Sequence, residues 1–196
     1  MKNIIQSYEV AKETYLQYGI DGGQAMEACD RIPLSIHCWQ CADGIGLEGT
    51  GSALSGGIQV TGNHFGKAYN FEEIAADLDW AFSYVPGCKK VNVNAIYLGN
   101  LQQFVDRNQI KAKHFDQWID WANQRDFGIN NGMFYSHPLS ADGYTLSHRD
   151  NEIKIFWIDH GERVRNVSAY IAQRTGKQVV NNIWIPDGEK EDPVDT

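Results

Sequence analysis

Phe134-Tyr135-Ser136-His137-Pro138-Leu139-Ser140-Ala141-Asp142-Gly143-Tyr144-Thr145-Leu146-Ser147-His148 stands between two elements of opposite periodicity. Upstream, Phe127-Gly128-Ile129 opens a strand-like approach. Downstream, from about Asp150 to Arg174, Ile153, Phe156, Trp157, Val164, Val167, Tyr170 and Ile171 recur at helical spacing until Gly176 stops the pattern. The stretch therefore reads as the loop between a strand and the helix after it. It gathers two histidines, an aspartate, several hydroxyls and a proline. In α/β proteins such loops, at the carboxyl ends of strands, hold ligands.

Working outward, the same strand-then-helix grammar repeats. Pro33 to Trp39 reads as a first strand, followed by a glycine-rich loop from Ala42 to Gly66. Asn70, with Glu73 three residues on, opens a helix as a capping box. Ile74, Leu78, Ala81, Phe82 and Val85 give that helix its buried face before Pro86-Gly87. Lys90 to Leu98 is the clearest strand, alternating β-branched residues and then turning continuously apolar. A helix from about Ala112 to Arg125 shows Phe115, Trp118, Ile119 and Ala122 on one face, and Val179 to Ile185 reads as a fourth strand ending at Pro186-Asp187-Gly188. At the start, Asn3 to Tyr18 places Ile4, Ile5, Tyr8, Ala11, Tyr15 and Leu16 at helical spacing, with Gly19 as its stop.

Strands joined by helices run parallel, through right-handed crossovers. An open doubly wound sheet and a (β/α)8 barrel both accommodate this order. With about four strands, a barrel would be half of one. The chain divides as a single region, 1–196: a helical segment over 1–31, βα units over 32–188, and an acidic tail over 189–196.

Composition narrows the function. With 196 residues, 42% hydrophobic and 21% charged, the chain is ordinary for a soluble globular protein. A formal charge of -8 argues against nucleic-acid and anionic-membrane partners, which select basic patches. Met1 to Tyr15 lacks the apolar core of a signal peptide, and no transmembrane run occurs. Four cysteines (Cys29, Cys38, Cys41, Cys88) are too few to staple this length, so the expected compartment is the reducing cytoplasm.

Three motifs carry competing readings. Cys38-Trp39-Gln40-Cys41 is either a dithiol or half a zinc site, or a pair of unremarkable cysteines. A redox pair should open a helix, and here a glycine-rich loop follows. Gly44-Ile45-Gly46-Leu47-Glu48-Gly49 fits the dinucleotide fingerprint, yet Thr50-Gly51-Ser52 propagates a helix poorly, which favours a substrate-facing loop. His137, Asp142 and His148 either ligate a divalent ion or orient the loop by hydrogen bonds to its own backbone. Trp39 and Trp184, at strand ends, are either core filler or a flat wall for a sugar ring.

Long blocks of the chain resemble bacterial L-rhamnose isomerases. They are His37-Cys38-Trp39-Gln40; Gly56-Gly57-Ile58-Gln59 with Thr61-Gly62-Asn63; Ala95-Ile96-Tyr97-Leu98; Ser136 to Gly143 with Thr145-Leu146-Ser147-His148; Phe156-Trp157-Ile158-Asp159-His160; and Asn182 to Gly188. The resemblance implies the amino-terminal half of a (β/α)8 barrel. It also implies a metal-dependent aldose–ketose isomerase acting on L-rhamnose, homotetrameric and using Mn2+ or a similar divalent ion. By resemblance, Trp184, Ile96, Tyr97 and Leu54 line one wall of the sugar pocket. The family's metal ligands and acid–base groups fall beyond the matched part, so neither a catalytic nor a metal-ligating residue is expected within this chain. The expected partners are the sugar and either a complementary carboxyl-terminal half or further copies of the chain.

Departures from the family pattern cluster at strand ends. Asn94 stands where the family has histidine, so a titrating imidazole becomes an amide that still donates and accepts. The family's Gly-Asp-Asp-Val-x-Gly-Phe-Glu loop appears as Cys41 to Glu48, and its Phe-Asn-Pro stretch as Asn130-Asn131-Gly132-Met133. This pattern fits altered specificity or lost activity. Two readings from other classes are a non-catalytic sugar-binding or regulatory relic, and a nucleotide-dependent oxidoreductase resting on Gly44 to Gly49.

Overall fold

Four short parallel strands form one sheet: β1 (Leu34–His37), β2 (Lys89–Asn94), β3 (Gly128–Gly132) and β4 (Asn181–Asn182), in the spatial order β1-β2-β3-β4. This computed structural model describes residues 2–37, 68, 70–94, 98, 105–133, 135, 137–183 and 185–188. Among the described residues five α-helices accompany the strands: α1 (Lys2–Leu16), α2 (Gly22–Asp30), α3 (Phe71–Phe82), α4 (Asp116–Gln124) and α5 (Asn151–Thr175). The α/β class and the parallel pairing match the sequence reading. Doubly wound sheets reverse their strand order at a switch point. No such reversal occurs among the described strands.

Strand periodicity sorts the side chains into two faces. Val91, Val93 and Ile129 share the face that the helices cover, and each is fully buried. They join Ile74, Leu78 and Phe82 of α3, Trp118, Ile119 and Ala122 of α4, and Trp157, Val164, Val167 and Ile171 of α5 in one core. Burial of these large side chains contributes roughly 1.5–3 kcal/mol each.

The helices start where their caps put them. Asn70 Oδ1 accepts from Glu73 N at 2.9 Å and opens α3, whose first-turn Glu72 and Glu73 also complement the helix dipole. Asp150 Oδ1 accepts from Glu152 N at 2.8 Å and opens α5. Gly176, at φ 65°, takes the left-handed conformation that ends α5.

Boundaries differ from expectation in three places. The fourth strand pairs over two residues only, because β3 offers it just two register partners. The helix expected from Ala112 begins as a 3-10 turn over Ala112–Phe115 and becomes α-helical at Asp116. α3 stops at Phe82, so Val85 is half-buried outside it.

Candidate functional site at the carboxyl ends of the strands

Register brings the carboxyl ends of the four strands side by side: His37 and Asn92 are partners, as are Asn94 and Gly132, and Gly132 and Asn182. The face turned away from the helices carries Ser35, His37, Lys90, Asn92, Asn94, Asn130 and Asn182, interrupted by Gly128 and Gly132. Asn92 Nδ2 donates to His37 Nδ1 at 3.0 Å. Asn130, nearly fully buried, donates through Nδ2 to Ser35 Oγ and accepts through Oδ1 from Val180 N, both at 2.9 Å. One amide thus reaches over β2 and ties β1 to the start of β4. Buried amides need such partners. A strand edge rich in amides, an imidazole and a hydroxyl can address the hydroxyls of a polar ligand by donating and accepting.

The loop after β3 is held by its own polar groups. His137 Nδ1 accepts from Leu139 N at 3.1 Å, and its Nε2 faces Asp106 Oδ1 at 3.3 Å. The ring stacks on Phe156, with centroids 5.0 Å apart. His148 repeats the device: Nδ1 accepts from Asp150 N at 2.8 Å, and Nε2 lies 2.9 Å from Asp142 Oδ2. Asp142 Oδ1 in turn accepts from Tyr144 N at 3.2 Å. Of the two readings of these three residues, loop orientation is the one their bonding matches. Among the described residues no three His, Cys, Asp or Glu side chains gather into a cation site. The described donor set therefore does not fit a resident metal.

A carboxylate that spacing could not reveal fastens this loop to the segment leaving the neighbouring strand. Asp187, in the segment leaving β4, accepts from Thr145 N at 2.9 Å and from Thr145 Oγ1 on one oxygen. On the other it accepts from Ser147 N at 2.6 Å and Ser147 Oγ at 2.7 Å. Burial pushes its pKa up, but the bonds from Thr145 and Ser147 outweigh this and hold it below the usual carboxylate value. In the sequence, Pro186-Asp187-Gly188 signals only a turn, and the residues it binds lie some 40 positions upstream.

Two other buried groups are scaffold. His160, with no exposed surface, brings Nδ1 within 3.3 Å of the Arg107 carbonyl. Burial first, then the Arg107 guanidinium, push its pKa down to about 3, so it is neutral. Tyr135 donates its hydroxyl to Met133 Sδ at 3.2 Å, and burial and then the Asp187 charge raise its pKa.

Of the residues expected to line a pocket, Asn94 stands at the carboxyl end of β2, half-buried, on the polar face. Trp184, Ile96, Tyr97 and Leu54 lie outside the described residues, as do Trp39, Cys38, Cys41 and Gly44 to Gly49. The departure at Asn130 to Met133 divides between the faces. Asn130 and Gly132 belong to the polar side, whereas Asn131 Nδ2 points to α5, 3.4 Å from the Val164 carbonyl. Met133, also buried, lies against Gly161 of α5. Cys29 and Cys88 are exposed free thiols.

Known proteins bear on this arrangement. The family model for L-rhamnose isomerase (RhaA) matches residues 2–196. An L-rhamnose isomerase of Enterobacter sp. (strain 638) is 50% identical over 191 residues, covering 97% of this chain and 45% of that protein. One from Klebsiella pneumoniae subsp. pneumoniae is 49% identical with the same coverage. One from Cronobacter sakazakii is 48% identical over 194 residues, covering 98% of this chain and 46% of that protein. The chain spans about half the length of the curated relatives it matches. The family model spans residues 2–196 and the relatives are about half identical over 97–98% of the chain, and on that evidence the chain belongs to the L-rhamnose isomerase family.

Proposed function

We propose that the chain forms part of an aldose–ketose isomerase that interconverts L-rhamnose and L-rhamnulose, contributing one wall of the sugar pocket. The observation that carries this reading is the family match over residues 2–196. The sequential parallel sheet supports its finer form, in which residues 1–196 are a single region making the amino-terminal half of a (β/α)8 barrel. Within that form, Trp184, Ile96, Tyr97, Leu54 and Asn94 face the sugar.

Moving a carbonyl from C1 to C2 requires an opened sugar, a cation such as Mn2+ that polarises both oxygens, and a group that carries a proton. The described residues supply polar contacts and no cation-holding set. In this reading the chain binds and orients the sugar, and the resemblance to the family assigns the ion-holding groups to further polypeptide in a cytoplasmic, homotetrameric enzyme. Ketose formation by the purified chain with Mn2+ and L-rhamnose tests this. No turnover is expected from the chain alone, with turnover appearing when the remaining part of a relative is added. Robust turnover by the chain alone overturns the division of labour.

The relic reading rests on the resemblance, by which Asn94 stands where the family has an imidazole. It predicts that added polypeptide restores no turnover although the chain binds L-rhamnose.

A further inference from the structure

We propose that Asp187 is a positioning residue of the sugar site, a clasp that fixes the loop after β3 against the segment leaving β4. The inference rests on the sugar-pocket reading and adds a residue to it. Its basis is the number and direction of the bonds. Both carboxylate oxygens are filled, each by one backbone N–H and one hydroxyl, and all four donors come from Thr145 and Ser147.

A carboxylate is the only common side chain that presents two acceptor oxygens and no donor. Charge-assisted bonds to it are about twice as strong as neutral ones. Thr145 is fully buried, so its hydroxyl needs a partner inside the protein. Around the clasp the loop is already stiffened by His148 against Asp142 and by His137 against Asp106. Asp187 adds a link in a different direction, tying the loop to the segment leaving β4, 40 and 42 positions away in sequence. It sets where the whole loop stands relative to the strand ends. Ligand sites depend on such placement by residues that never touch the ligand.

Hydrogen exchange at the Thr145 and Ser147 amides, read together with L-rhamnose titration by saturation-transfer NMR, tests the assignment on the full chain. In Asp187→Asn one acceptor oxygen is replaced by a donor aimed at other donors. The Ser147 amide is expected to exchange faster and the rhamnose Kd to rise about tenfold, while the core amides of Val91 and Ile129 keep their protection. Asp187→Glu, which retains both oxygens, is expected to recover part of the affinity. Unchanged affinity in Asp187→Asn with a loosened Ser147 amide overturns the proposal alone, as does an unchanged exchange rate. Absence of rhamnose binding by the parent chain removes the sugar reading and this proposal together. Should Asp187→Asn not fold, Thr145→Val, which keeps the amide and loses the hydroxyl, carries the same expectation in both readouts.

Discussion

Asn130 and His160 are polar side chains shut away from water on opposite sides of the sheet problem, and each is tolerated for a different reason. Asn130 is satisfied by partners on β1 and just before β4, so its truncation strands Ser35 Oγ and Val180 N. His160 is tolerated by staying uncharged. Below its ordinary value of 6.5 the unfolded chain binds a proton that the folded chain refuses until about pH 3. Stability therefore falls as pH drops through this window, by about 1.4 kcal/mol per pH unit from this group. Urea unfolding between pH 7 and 4.5 is expected to show a shallower acid loss in His160→Gln than in the parent. Such residues are only partly legible in sequence. Helical spacing puts His160 on the same stripe as Trp157 and Val164, so its burial is legible, whereas its bond to the Arg107 carbonyl joins it to an element no local pattern reveals. The Asp187 clasp was illegible for a plainer reason: its donors lie on another element, beyond any local periodicity.

Elements were legible wherever a repeat and a cap agreed. Asn70 before Phe71 signals a helix start and its side chain accepts the bond that signal implies; Asp150, about where the long helix was expected to begin, likewise accepts from Glu152 N. Asp150→Ala is expected to lower stability by about 1 kcal/mol, measurable as a fall in the urea midpoint without change in slope. Strand ends were less legible, because an apolar run can continue after its ladder partner has stopped. Val180, Ile183 and Ile185 illustrate this; they continue the pattern around a two-residue β4 and remain about half exposed. At Gly132 an added Cβ would stand 2.9 Å from the Asn182 carbonyl oxygen, a backbone atom that cannot swing aside. Gly132→Ala is expected to cost about 1–3 kcal/mol by overpacking and to loosen β4 first, visible as faster exchange of the Met133 amide, which bonds to that same carbonyl.

For the molecule as a whole, the covered and polar faces of the sheet leave much apolar surface elsewhere. Ile4, Ile5, Val10, Tyr15 and Leu16 of α1 are more than half exposed, as are Trp80 and Tyr84 around the end of α3. Exposed apolar patches of this kind promote association, while a formal charge of -8 opposes it. The chain is expected to self-associate in light scattering, more so at high salt, where that repulsion is screened. Ile5→Lys with Leu16→Lys should lower the apparent mass; an unchanged, salt-independent monomer in the parent would count against the prediction. The sequential strand order has a consequence for biosynthesis. Each βα unit settles beside the one made just before it, so as the ribosome releases the chain the row can extend in the order of translation. Asp187 must reach back some 40 positions to Thr145 and Ser147, so that loop stays unfastened until the segment leaving β4 has been delivered.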